Sequence, residues 1–300
     1  MHNRRELLLG AAAATLVGGG TSALSQVVAN ITLGDRAISI ISDGAFEMPR
    51  SMLARDVASD VIAQATKGTG PTTNVLNVTC MRQGAKVVMF DCGSGANFLA
   101  GTGKLAASLE AAGIAPDSVT HVLFTHLHPD HFWGALDDFD TPLFPNAIWI
   151  ADRREVAFWS DPKVYEKLPE DRHAFAAGAQ RIIKVLGDAL EQKDPGSEWL
   201  PGVGAFDTAG HTPGHVSFEF KDSGGPVVVL GDALTHPIAS FAHPEWRPAS
   251  DFDAERAVAT RKRLLDRAAG EKAQVIGYHL EGGIGRVERA GSAYRFVAGA

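Results

Sequence analysis

Seven side chains able to bind metal occur in the order His126, His128, Asp130, His131, His211, Asp232 and His279, and the first four are packed into Thr125-His-Leu-His-Pro-Asp-His131. Imidazole nitrogens and carboxylate oxygens suit zinc and other divalent first-row ions, and four of them within six residues can serve two neighbouring ions. A structural role does not favour three imidazoles and a carboxylate on one short turn, because burying them unpaired is costly. A pair of such ions lowers the pKa of bound water to about 7 and polarises a substrate oxygen, so a hydroxide held between them could attack a carbonyl carbon or a phosphorus. Asp130 and Asp232 are the carboxylates placed to take part in that chemistry, Asp130 also as a proton acceptor. No GxSxG signature occurs, which removes support for a covalent serine mechanism.

The elements around these residues are those of a mixed α and β domain. His121 to Thr125 reads as a buried strand that runs out into the cluster. Val75 to Met81 and Lys86 to Asp91 read as a hairpin, with Cys80 opposite about Val88. Helical spacing covers Leu105 to Ala112, Arg153 to Trp159 and Asp171 to Leu190, and Phe144 to Ile150 reads as a strand between them. Further strands are expected at Val203 to Thr208, Val216 to Lys221, Val227 to Leu230, Gln274 to Tyr278 and Ala293 to Val297. Ser250 and Asp253 form a start like a capping box for a helix reaching about Ala269.

The ordered set resembles the metallo-β-lactamase-fold hydrolases over nearly the whole chain from about residue 30. It comprises Asp91 in Phe90-Asp-Cys-Gly93, the HxHxDH loop, His211 in Gly210-His-Thr-Pro-Gly-His215, Asp232 in Leu230-Gly-Asp232, and His279 after Val275-Ile-Gly-Tyr278. The resemblance implies a four-layer αββα sandwich. It also implies two divalent ions per chain, zinc foremost, with manganese, cobalt and iron compatible. One ion would take His126, His128 and His211, the other Asp130, His131 and His279, with Asp232 bridging both. Asp91 and His215 would brace ligands. Asp232 argues against a β-lactamase, and His128 against the flavodiiron branch.

Ser42-Asp-Gly44, Phe144-Pro-Asn146, Glu155 to Trp159, Gly283-Ile-Gly285 and Tyr294-Arg-Phe296 are similar to the methyl parathion hydrolase group of organophosphate hydrolases. That similarity implies cleavage of an aryl phosphotriester or carboxylic ester in a small hydrophobic molecule, with lactone opening as the alternative. Phe132, Trp133 and Trp159 are the candidate substrate contacts, and core packing is the competing role for Trp159. A mononuclear iron persulfide dioxygenase, which shares the HxHxDH loop, and a non-catalytic metal-binding accessory protein stay open.

Three hundred residues with 45% hydrophobic content suffice for one sizeable core, here residues 26–300. A formal charge of −7 leaves no basic footprint for nucleic acid. Arg4-Arg5, an apolar run from Leu7 to Val17 and Thr21 to Ser25 look like a twin-arginine signal peptide over residues 1–25. The run is shorter than the roughly 20 residues that span a bilayer, so no stable membrane anchor is expected. The expected partners are the twin-arginine export machinery and then a small-molecule substrate in the periplasm; a homodimer is compatible. Cys80 and Cys92 fall too far apart along the hairpin for the roughly 7 Å that a disulfide allows, and both read as small buried hydrophobes.

Overall fold

Parallel strands buried on both faces set the layering. The structure, a computed structural model, describes residues 27–222 and 225–299; the leader expected over residues 1–25 lies outside them. In β4 (Lys86–Phe90), β5 (His121–Leu123) and β6 (Ile148–Asp152), Val88, Phe90, Leu123 and Ile150 point to one side. Met89, Val122, Trp149 and Ala151 point to the other, the period of two that a strand imposes.

The first sheet keeps sequence order: β1 (Val27–Leu33), β2 (Arg36–Met48), β3 (Thr72–Gln83), β4, β5, β6 and β7 (Leu190–Lys193). Its pairs are antiparallel up to β4 and parallel beyond it. The second sheet runs β14 (Ala293–Ala298), β13 (Ile284–Ala290), β12 (Gln274–Ile276), β11 (Gly225–Val229), β10 (Val216–Asp222), β9 (Val203–Asp207), β8 (Ser197–Leu200). Phe218, Phe220, Val227, Val229 and Ile276 of this sheet close on the inward residues of the first.

Helices cover the outer faces. Helix α1 (Ser59–Thr66) packs Ile62 against Leu53 and Trp246, while on the first sheet lie α2 (Leu105–Ala111), the one-turn α3 (Pro129–Phe132), α4 (Arg153–Ser160), α5 (Val164–Lys167) and α6 (His173–Leu186), of which α2, α4 and α6 supply Leu105, Leu109, Val156, Ala179 and Ile182 to its outer core. On the second, α7 (Ala254–Glu271) packs Leu264 and Leu265 against Val228 and Val275. The result is the expected αββα sandwich. No described helix is long and apolar enough to cross a membrane.

Several boundaries differ from expectation for local reasons. The hairpin turn is the two-residue Gly84-Ala85, so Cys80 faces Met89 and not Val88. Both cysteines are free and buried. Phe144 to Ala147 forms a turn, with the Ala147 N–H donating to Phe144 O at 3.1 Å, and the strand begins only at Ile148. Helix α6 stops at Leu186 because Gly187 takes φ +48°. The N-cap of α7 is Asp253, whose carboxylate accepts from the Arg256 N–H at 3.0 Å, and Ser250 stays outside the helix.

Candidate metal centre

Every expected ligand follows the C-terminal end of a strand. The HxHxDH segment leaves β5, His211 lies in the loop from β9 to β10, Asp232 follows β11 and His279 follows β12. The Val216 N–H donates to Thr125 O at 2.9 Å and ties the strand ends of the two sheets together. The structure brings all seven side chains into one buried cluster. His126, His128, His211 and Asp232 form one group and Asp130, His131 and His279 another, each with its ligand atoms within 4.8 Å of one another.

The contacts inside the cluster make poor hydrogen bonds and good coordination. His128 Nδ1 lies 2.9 Å from both His126 Nε2 and His211 Nε2, three imidazole nitrogens facing one space. Asp232 stands between the groups, its oxygens 3.1 Å from His131 Nε2, 3.3 Å from His211 Nε2 and 3.2 Å from His279 Nε2. Even so, His131 Nε2 and Asp232 Oδ1 are buried without a hydrogen bond. Orphaned polar atoms of this kind require an explanation, and a cation between them supplies one. The electrostatics agree. Burial holds His126 and His128 well below the usual imidazole range, so both are in the neutral form that ligates. Burial alone would lower His279, but Asp232 and Asp130 beside it push it up to about 10. Burial would likewise raise Asp232, yet His279 and His131 hold it well below the carboxylate range. Positive charge is wanted at the centre of the cluster, and the donor set fits two divalent ions.

The outward edges of the rings are fixed by acceptors. Asp91 takes His131 Nδ1 at 2.8 Å and the Thr125 hydroxyl at 2.8 Å, and Thr125 Oγ1 in turn lies 3.0 Å from His126 Nδ1. Asp91 itself adopts φ +64°, a strained position for a non-glycine residue that occurs here beside the site. His279 Nδ1 meets Val75 O at 2.9 Å. His211 Nδ1 meets Asp251 at 3.0 Å, and Asp251 is held by Arg261 at 3.0 Å, a buried chain of three. His215 braces Asp232: its Nε2 accepts the Asp232 N–H at 2.9 Å, while its Nδ1 pairs with Thr208 at 2.8 Å. Gly231, at φ +54°, lets this happen, since a Cβ there would come within 2.7 Å of His215 Nε2.

Glu155 joins the two ligand loops. Its buried carboxylate accepts from the Leu127 N–H at 3.1 Å and the Gly214 N–H at 2.9 Å, and from Trp159 Nε1 at 2.8 Å. Burial raises its pKa, opposed by the Trp159 and backbone hydrogen bonds.

Five of the seven ligands, His128, Asp130, His211, Asp232 and His279, form the floor of a cleft of about 390 Å³. Its walls are largely apolar, with Met48, Met52, Leu99, Phe175 and the edge-on pair Phe46 and Phe98; Arg172 and His236 are also at the surface of the cleft. None of the three expected substrate contacts lines the cleft. Phe132 is fully buried against Phe124, and Trp159 is fully buried with its indole N–H on Glu155, so neither lines the cleft. Trp133 stands behind the wall, edge-on to Phe98 and Phe175. His243 stacks on Trp246, His173 bonds Tyr165 O and His121 bonds Thr120, all away from the cluster.

Sequence reasoning missed Asp251, Arg261, the bridging role of Glu155 and the rings of the cleft wall. Arg261 had a signal: it falls on the buried stripe Ala257, Leu264, Leu265 and Ala268 of α7, where an arginine needs a buried partner.

Comparison with known proteins agrees with this geometry. Residues 72–279 match the model of the metallo-beta-lactamase superfamily. An N-acyl homoserine lactonase of a Bacillus species is 29% identical over 175 residues, which is 58% of this chain and 61% of that protein. The chain thus spans less than two thirds of the curated relatives it matches first. Among solved structures, the dizinc quorum-quenching lactonase AidC superposes with a TM-score of 0.86 at 23% identity, over 92% of this chain and 99% of the other, a likeness of fold. The hydrolase AbOPH of the beta lactamase superfamily superposes with a TM-score of 0.84 at 27% identity, over 92% and 98%. With the family model spanning both sheets and every ligand position filled, the chain belongs to the metallo-beta-lactamase superfamily.

Proposed function

We propose that the protein hydrolyses a carboxylic ester bond in a small apolar molecule, a lactone being the leading substrate class. The observation that carries this reading is the meeting of seven ligand side chains, five of them at the floor of an apolar-walled cleft. Two divalent ions held there, zinc foremost, would activate a water and polarise the acyl oxygen. The chain's own groups do the remaining work. Asp91, Asp251 and Val75 O fix the outward nitrogens of His131, His211 and His279, which leaves their Nε2 atoms aimed inward. Asp130, its carboxylate 3.4 Å from His279 Nε2, lies in the cleft surface and can accept a proton from the attacking water. Phe46, Met48, Met52 and Leu99 exclude water and seat an acyl tail, and the cleft volume falls within the roughly 300–1,000 Å³ of small-molecule sites. The matched N-acyl homoserine lactonases support the lactone class.

A second reading, aryl phosphotriester or aryl ester hydrolysis, is favoured by the rings Phe46, Phe98 and Phe175, which suit a flat leaving group. One panel on zinc-loaded protein separates the two: N-hexanoyl-L-homoserine lactone, an aryl ester, an aryl phosphotriester and a β-lactam. The lactone is expected to show the highest kcat/KM, with Asp232→Asn lowering it at least about 100-fold. A phosphotriester preferred over the lactone would overturn the leading reading, and turnover of none of these esters would overturn both.

A further inference from the structure

We propose that His236 donates a hydrogen bond from Nε2 to the scissile lactone group of the substrate, as a neutral donor whose proton stays on the ring. The inference rests on the hydrolase reading above. His236 lines the same cleft as Asp130, His211, Asp232 and His279. It precedes the π-helical turn Pro237–Ala242, and its Nδ1 accepts from the Ile238 N–H at 3.1 Å and the Ala239 N–H at 3.2 Å. A ring nitrogen that accepts two N–H groups carries no proton, so the proton of the neutral imidazole sits on Nε2. Nε2 has no protein partner among the described residues, and the ring cannot turn without setting C–H against the two amide donors. Ser240 holds the same loop, its hydroxyl accepting the Thr235 N–H at 3.0 Å and the His236 N–H at 3.2 Å, while its own N–H donates to His236 O at 2.8 Å.

Charge favours the donor form. Burial, with Arg50 nearby, lowers the His236 pKa to about 4, so the ring is neutral near pH 7 and does not serve as a general acid there. The other groups at the floor are carboxylates, which accept, and imidazoles whose open nitrogens face the ion positions. A donor whose direction is set by backbone amides is preorganised for an oxygen that gains negative charge as the acyl carbon is attacked.

The test is His236→Asn. Asparagine is a favoured N-cap residue and can still accept the two amide N–H groups, but it has nothing at the Nε2 position. The variant is expected to keep the zinc content and melting temperature of the wild type and to lose about 100-fold in kcat on N-hexanoyl-L-homoserine lactone, with KM changed less than about threefold. An unchanged kcat, or a loss confined to KM, overturns the proposal. If the variant does not fold, wild-type protein labelled with 15N-histidine decides: the Nε2–H tautomer, shifted by added N-hexanoyl-L-homoserine, supports it, and an Nδ1–H tautomer or an unmoved resonance refutes it. Wild-type protein that cleaves no lactone fails the lactonase reading instead, and the same labelled sample titrated with the carboxylate product of an aryl ester still decides on His236.

Discussion

Asp251→Ala removes the carboxylate that touches both His211 and Arg261, each at 3.0 Å. Asp251 and Arg261 side chains are each only 2% exposed, so the variant leaves a guanidinium buried and unmatched, and breaking such a pair costs about 3–5 kcal/mol. Pro244 O and Trp246 O still accept from Arg261 Nη1, which places the loss near the lower end, about 3 kcal/mol. For a domain of this size that is a fall of about 6–12 °C in Tm, measured on metal-free protein so that bound ion adds nothing by mass action. A second effect falls on the metal. His211 loses the acceptor that aims its ring, and zinc affinity measured by chelator competition is expected to drop about 10–100-fold. Asp251→Leu combined with Arg261→Met separates the two effects, because an apolar replacement of the whole pair restores most of the stability and leaves the affinity low. Zinc binding at wild-type strength in the double variant, or an Asp251→Ala apoprotein that melts within about 1 °C of wild type, would refute the reasoning.

Three further outcomes follow from the geometry. His279 is raised from an ordinary 6.5 to about 10 in the metal-free site; a raised imidazole adds stability that is complete below 6.5 and is lost as pH climbs through about 10. Metal-free protein is therefore expected to weaken across that window while zinc affinity rises, and calorimetry near pH 7 in buffers of different ionisation enthalpy should record proton release on zinc uptake; none released would count against it. Gly231→Ala places a methyl 2.7 Å from His215 Nε2 and 2.8 Å from Thr125 Cβ, so urea unfolding should show a loss of about 1–3 kcal/mol, and a variant as stable as wild type would contradict the close packing. Phe98→Ala opens the cleft wall, and KM for a hexanoyl substrate is expected to rise about tenfold with kcat held, a change absent for a substrate without a tail.

The ligands were legible because their signal is local or ordered. Four of them sit on one turn, and the remainder follow short apolar strands in a recognisable sequence. The αββα layering was legible in outline for the same reason, since β4, β5 and β6 are apolar runs bounded by turns. The braces were harder to see. Asp251 and His211 are 40 residues apart and Glu155 and Gly214 59 apart, so nothing in the neighbourhood of either acid reveals its partner. The cleft wall is not legible, because bulky rings beside HxHxDH are as consistent with the site entrance as with the core. In the fold, α3 turns Phe132 back into the core against Phe124, and the wall comes instead from the end of β2, the loop carrying Phe98, and α6.

The ligands come from both sheets, and this has a consequence for the order in which the chain folds. His128 meets His211 across 83 residues, and His279 reaches Val75 across 204. Contacts of such span are closed late, because the entropy of long loops must be met before they return any stabilisation. Neither half holds the full ligand set by itself, so tight capture of a metal pair reports that the sheets have docked. Metal occupancy is then a mark of finished folding, and zinc added during refolding should leave the early collapse rate unchanged and slow only the unfolding of the completed molecule.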